Sequence, residues 1–152
     1  MERLASAMAR AVRGMPGQVW LHGDLGVGKT TFCRAWIQAL LPGVRVKSPT
    51  FSLLEPYEGD DCRICHLDLY RIDDAQELEY LGLRDWLARD QLLVEWPERG
   101  WGFLPPPALR LWLQPAEAGR CLTVECDAPA WRQALGPVLE SFFGECENHE
   151  KN

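Results

Sequence analysis

Apolar positions at Leu4, Ala5, Met8 and Val12 recur at helical spacing and predict a helix over Arg3–Val12, stopped by Gly14 and Pro16-Gly17. Val19–Leu21 is a short apolar run that reads as a buried strand. A glycine-rich stretch follows at once, and then a second helical period from Thr30 to Leu41, closed by Pro42-Gly43. Two strands are expected in the middle, Phe51–Leu54 and Ile64–Tyr70. The second alternates Ile64, His66, Asp68 and Tyr70 against Cys65, Leu67 and Leu69, so its polar face must look onto something other than a core. Asp73 or Asp74 is placed to cap a helix through Gln76–Tyr80, which Gly82 interrupts before Leu83–Leu87 continues helically. Leu92–Val94 reads as a buried strand ending in Glu95, and Gly100–Pro107 as a loop. Leu109–Leu113 and Leu122–Val124 alternate around turn residues, the pattern of a hairpin. Ala128–Phe143 reads as a last helix with a kink at Gly136-Pro137, and Glu145–Asn152 as a polar tail.

The glycine-rich stretch changes this outline into a functional reading. Residues 23–30 run Gly-Asp-Leu-Gly-Val-Gly-Lys-Thr, the P-loop pattern, between an expected strand and an expected helix. Its glycines let backbone N–H groups converge on phosphate oxygens, and the helix that follows turns its positive end on the same anion. Gly23, Asp24, Leu25, Gly26, Val27, Gly28, Lys29, Thr30 and Thr31 are therefore the candidate phosphate-binding residues. Lys29 is one of only three lysines, against thirteen arginines. Hydrolysis needs further groups: a carboxylate for Mg²⁺ at a strand end, and a residue that orients water. Glu95 fits the first, with the Thr30 hydroxyl as a second metal ligand. Asp68 leads for the second, with His66 behind it on the same strand face. Thr50, in Ser48-Pro49-Thr50-Phe51, sits where switch loops of P-loop enzymes lie, and an ST-turn role is its plain alternative.

The expected fold is thus α/β: a P-loop NTPase fold with a central, largely parallel sheet, a C-terminal antiparallel hairpin and helices on both faces. Residues 1–143 are read as a single P-loop ATPase domain and residues 144–152 as its tail. The chain has 152 residues, 47% of them hydrophobic and 25% charged, which suits a globular core rather than a disordered or fibrous chain. A net charge of −6 argues against tight, unassisted nucleic-acid binding. No apolar run approaches the roughly 20 residues of a membrane span, and no signal peptide is evident, so the expected location is cytoplasmic with reduced thiols.

Beyond the P-loop, GDLGVGKTTF (Gly23–Phe32), VKSPTFSLLEPY (Val46–Tyr57), HLDLYRI (His66–Ile72), ELEYLGL (Glu77–Leu83), LVEWPERG (Leu93–Gly100) and LPPP (Leu104–Pro107) occur in this order. In these segments the sequence resembles the TsaE (YjeE) family, small P-loop ATPases of bacterial tRNA threonylcarbamoyladenosine biosynthesis. The resemblance implies that Lys29 and the Gly26–Thr31 backbone hold ATP, and that Thr30 and Glu95 hold Mg²⁺. It implies a switch-like place for Thr50 and a catalytic one for Asp68. Tyr70 and Trp96 fall on aromatic positions near the nucleotide. It further implies weak ATP hydrolysis by a protein that is monomeric when isolated. Its partners would be the TsaB and TsaD proteins, whose complex modifies adenosine 37 of tRNA, with tRNA met indirectly or weakly through that complex. The family's threonine-containing segment before the first helix has no match here, so the resemblance assigns no adenine-pocket residue.

Other signals point elsewhere. Cys62-Arg63-Ile64-Cys65-His66 fits a haem-attachment pattern, and Cys62, Cys65, Cys121 and Cys126 could in principle hold zinc; free thiols are the default. Trp36, Trp112 and Trp131 are expected in core or interface, Trp96 and Trp101 in contact with nucleotide or partner. Arg71, Arg84, Arg89 and Arg99 read as solvated surface, with a basic surface toward tRNA or a protein partner as the alternative, and Arg120 falls at a turn and is a further candidate for a place near the nucleotide. A small-molecule kinase lacks its arginine-rich lid here, and a GTPase lacks its guanine-reading N-K-x-D. A nucleotide-gated binding subunit is the non-enzymatic alternative.

Overall fold

The computed structural model describes residues 1–49 and 52–144. In chain order the elements are α1 (Glu2–Ala11), β1 (Gly17–His22), α2 (Lys29–Leu40), β2 (Leu54–Glu58) and β3 (Arg63–Asp68). A 3₁₀ helix (Ala75–Leu81), α3 (Leu83–Leu87), β4 (Gln91–Glu95) and a second 3₁₀ turn (Pro97–Gly100) follow, then β5 (Leu109–Ala116), β6 (Gly119–Cys126) and α4 (Pro129–Phe143).

The strands form one six-stranded sheet in the order β2-β3-β4-β1-β5-β6. Its inner strands β3, β4, β1 and β5 are parallel, and β2 and β6 close the two edges antiparallel. The C-terminal hairpin is β5–β6, as its alternation indicates; a second hairpin, β2–β3, closes the other edge. Its first strand lies at Leu54–Glu58; of the expected Phe51–Leu54, Phe51 lies outside the described residues, and Ser52 and Leu53 precede the strand. Pro56 hides that strand from sequence reading, and it is tolerated because β2 is an edge where one N–H can be missing. Parallel strands buried on both faces explain the near-continuous apolar runs Val19–Leu21 and Leu92–Val94.

Each face of the sheet carries its own core. On one, α1, α2 and α4 pack Leu4, Met8, Phe32, Trp36, Ile37 and Trp131 on Val19, Leu21, Leu93 and Leu111. Trp36 is fully buried, and its Nε1 donates to Gln91 Oε1 at 3.0 Å. Gln91 in turn donates to Val12 O at 2.8 Å, tying α1 to the base of the sheet. Replacing Trp36 by alanine empties the centre of this core and leaves the Gln91 carbonyl unpaired; a loss of about 3–5 kcal/mol is expected in denaturant unfolding. α4 runs unbroken past Gly136-Pro137, and the kink expected there does not divide it. On the other face the thinner layer packs Leu78 and Leu83 on Trp20, Cys65, Leu67, Leu92 and Val94. The first helix of this layer is 3₁₀, capped by Asp74: its side chain accepts from Gln76 N at 2.9 Å, and Glu77 accepts from Asp74 N in return. Gly82, at φ +65, ends it. Among the described residues no helix is long and apolar enough to cross a membrane.

Candidate functional site

The parallel strands deliver their C-terminal ends to one side of the sheet, where an open α/β sheet places ligands. β1 ends at His22, and residues 23–28 turn the chain into α2. Gly23 is required by space. A Cβ there would stand 2.5 Å from Leu113 O of β5 and 2.8 Å from Val27 Cγ1, so the loop closes only on a glycine. Gly23→Ala is expected to lower stability by about 2 kcal/mol or more through this clash. A thermal melt beside a nucleotide titration checks whether binding falls with it. Gly28, the N-cap of α2, has φ +112, a conformation open to glycine.

Lys29 opens α2 and is 4% exposed. Its Nζ donates to Gly23 O at 2.5 Å and Asp24 O at 2.9 Å, and lies 4.1 Å from the centre of the Trp96 ring. Burial pushes the Lys29 pKa down, and Glu95, Glu98, Asp68 and Asp24 act against that shift. The ammonium is thus poorly solvated and held by carbonyls and an aromatic face, weaker partners than a phosphate.

The Thr30 hydroxyl donates to Glu95 Oε2 at 3.0 Å. The other oxygen of Glu95, at the end of β4, accepts from His66 Nε2 at 2.8 Å. Bonding a carboxylate requires Nε2 to carry a proton, and the buried Nδ1 has no hydrogen-bond partner among the described residues. Cys33 lies beneath: its Sγ, a His66 ring nitrogen and a Glu95 oxygen all fall within 4.8 Å of one another. Burial and the charge of Glu95 push the Cys33 thiol well above its ordinary pKa, so it keeps its proton.

Asp68 is placed by register. It ends β3 directly opposite Glu95 on β4, so the two carboxylates share one edge of the sheet. Its Oδ1 accepts from Tyr70 N at 3.0 Å. Burial pushes its pKa up, the Tyr70 amide opposes this, and the Glu95 charge adds to the rise.

Lys29, Thr30, Asp68 and Glu95 line a cavity of about 430 Å³, together with Leu25, Gly26, Gly28, Thr31, Ser48, Tyr70, Arg71 and Trp96. Trp96 has φ +57, in the left-handed region, and its ring lies 5.0 Å from that of Tyr70. The Arg99 guanidinium stands 5.3 Å from the Tyr70 ring centre, closing an aromatic wall on one side of the mouth. Leu25, Gly26, Gly28, Lys29, Thr30, Thr31, Glu95, Asp68 and Trp96 are thus brought together, whereas Gly23, Asp24 and Val27 of the loop do not line the cavity. His66 does not line the cavity: it is fully buried and bonds Glu95, which does. Thr50 lies outside the described residues.

The family model for the threonylcarbamoyl adenosine biosynthesis protein TsaE matches residues 1–122. The chain belongs to the TsaE family. It is 48% identical over 88 residues to the tRNA threonylcarbamoyladenosine biosynthesis protein TsaE of Haemophilus influenzae, covering 57% of this chain and 56% of that protein. With the TsaE of Rickettsia conorii it shares 36% identity over 115 residues, 74% of this chain and 65% of that one. The matched stretches thus span between about half and two-thirds of those curated relatives. A crystal structure of Bacillus YdiB superposes with a TM-score of 0.69 over 93% of this chain and 91% of that one, at 22% identity, a likeness of fold.

The four-cysteine zinc reading fails on placement. Cys62 and Cys65 belong to one edge hairpin and Cys121 and Cys126 to the opposite edge strand, and among the described residues these four form no metal-ligating cluster. Burial pushes the Cys65 thiol up to about 12, which leaves it inert. Cys146 lies outside the described residues. Trp101 is 78% exposed and away from the cavity, so of the loop tryptophans only Trp96 lines it. Arg71 and Ser48 line the cavity although their residue types alone do not mark them. The available signal was position, since Arg71 follows Asp68 and Tyr70 off the end of the same strand.

Proposed function

We propose that this protein is a Mg²⁺-dependent ATPase of tRNA threonylcarbamoyladenosine biosynthesis, weak alone, which acts on a TsaB–TsaD threonylcarbamoyl-transfer complex to support its turnover. Membership of the TsaE family supports the pathway. One observation carries the chemistry: the phosphate-binding loop, a desolvated lysine, a Thr–Glu oxygen pair and a second carboxylate meet in one cavity.

In this reading the Gly26–Thr31 amides and Lys29 hold the triphosphate. Hard oxygen donors suit Mg²⁺, and Thr30 Oγ1 and Glu95 Oε2, 3.0 Å apart, would hold it, with His66 fixing the carboxylate from behind. The ion, when bound, neutralises charge on the phosphate oxygens. Asp68 accepts a hydrogen bond from the attacking water and orients it; its raised pKa makes it a better acceptor than an ordinary aspartate. Trp96 and Tyr70 wall the site.

Asp68→Asn tests this assignment. Because folding raises the Asp68 pKa, the ionised form is penalised in the folded state. That penalty is present above the folded pKa and absent below the unfolded one. The amide removes it and still accepts from Tyr70 N. At pH 7 the metal- and nucleotide-free variant is expected to melt at or above the wild-type temperature, while ATP turnover falls about 100-fold. Turnover within about twofold of wild type would remove Asp68 from the chemistry.

A further inference from the structure

We infer that Arg120, on the β5–β6 hairpin, fixes the direction of the Gly28 amide from behind the phosphate loop, as a positioning residue for a phosphoanhydride ligand. Arg120 Nε donates to Val27 O at 2.6 Å, a contact between residues 93 apart in sequence. Its Nη1 donates to Gly119 O at 3.3 Å. Both acceptors are backbone carbonyls, and among the described residues no carboxylate pairs with this guanidinium. An exposed arginine that spends its strongest bond on a loop carbonyl is acting on the loop.

The consequence follows from peptide geometry. The described peptides are all trans. In a trans peptide the C=O of one residue and the N–H of the next point in opposite directions. Pinning Val27 O to the hairpin therefore turns Gly28 N–H away from the hairpin. Gly28 lines the cavity and Arg120 does not, and on this we take the amide, turned from the hairpin, to face the cavity. Gly26, at φ +78, and Gly28, at φ +112, leave this loop more backbone freedom than other residues would. The guanidinium selects one orientation before a ligand arrives, which lowers the ordering penalty of binding. Lys29, against the Trp96 ring, holds the Gly23 and Asp24 carbonyls, and Arg120 holds that of Val27.

The inference rests on the nucleotide-binding reading above, and the test separates the two. Arg120→Ala and Arg120→Lys would be titrated with Mg·ADP and Mg·ATP by calorimetry, and the ligand-free proteins compared by amide NMR. Arg120→Ala is expected to weaken both nucleotides alike, about tenfold, because the lost amide serves a phosphate common to both. The Gly28 amide resonance should move in the free variant while the α1 and α4 amides stay in place. Arg120→Lys should recover part of the affinity, since its ammonium can still donate to Val27 O. A loss confined to Mg·ATP would place Arg120 on the terminal phosphate and overturn the positioning role. So would unchanged affinities, or a Gly28 amide that does not move. If the wild type binds neither nucleotide, the functional reading fails, and the Gly28 amide alone still decides whether Arg120 orients the loop.

Discussion

Lys29→Ala is expected to reduce ATP turnover by about 1000-fold and to weaken Mg·ATP more than Mg·ADP. The Lys29 ammonium is nearly buried, and among the described residues it contacts two loop carbonyls and the Trp96 ring. None of these neutralises its charge. A triphosphate would, and its charge grows on the oxygens that the lysine faces as the terminal bond breaks. The effect on folding should be small by comparison. Removing a desolvated cation relieves a penalty, while the Gly23 and Asp24 carbonyls lose a donor, and the two changes oppose each other. The discriminating comparison is single-turnover hydrolysis against the thermal melt. A variant that lost both in proportion would mean that Lys29 serves the fold.

Glu95 is the second position of large effect, and two substitutions separate its duties. Its carboxylate is 2% exposed and accepts from both Thr30 and His66. Glu95→Ala leaves the His66 Nε2–H and the Thr30 hydroxyl facing an apolar gap, so unfolding should become easier by about 3–5 kcal/mol. Glu95→Gln keeps one acceptor oxygen for His66, and its amide can donate to Thr30 Oγ1. Its stability loss should stay near 1–2 kcal/mol. Both should lower Mg²⁺-dependent turnover by about 100-fold or more, because an amide is a poor ligand for a hard divalent cation. If Glu95→Gln retains full turnover, Glu95 supports the fold through His66 and does not hold the metal.

How much of this was legible in sequence depends on where each residue's chemistry resides. The loop from Gly23 to Thr30 is readable because its function is a backbone conformation, and glycine spacing encodes conformation directly. Glu95 is readable because it closes an apolar strand. Asp68 was a candidate by strand face, and its register with Glu95 makes the pair; that register depends on β3 and β4 lying side by side, which no local pattern states. His66 illustrates the limit. Alternation placed it on a polar face, and at His66 that face is buried, with Glu95 satisfying Nε2, while Asp68 and Tyr70 further along reach the cavity. A buried hydrogen-bonded face and a solvated one carry the same residue pattern. β2 was displaced along the chain because Pro56 argues against a strand except at an edge, and edge position is a property of the whole sheet. Arg120 was least legible: its partner is a carbonyl 93 residues away, and carbonyls leave no mark in sequence.

The most direct test of the central claim is phosphate release from Mg·ATP and Mg·GTP, by the protein alone and with a TsaB–TsaD pair and tRNA added. The account predicts slow turnover of Mg·ATP in preference to Mg·GTP by the protein alone. It predicts a changed rate when the pair and tRNA are present, and loss of both activities in Lys29→Ala. Fast turnover indifferent to the pair, or a preference for Mg·GTP, would contradict it.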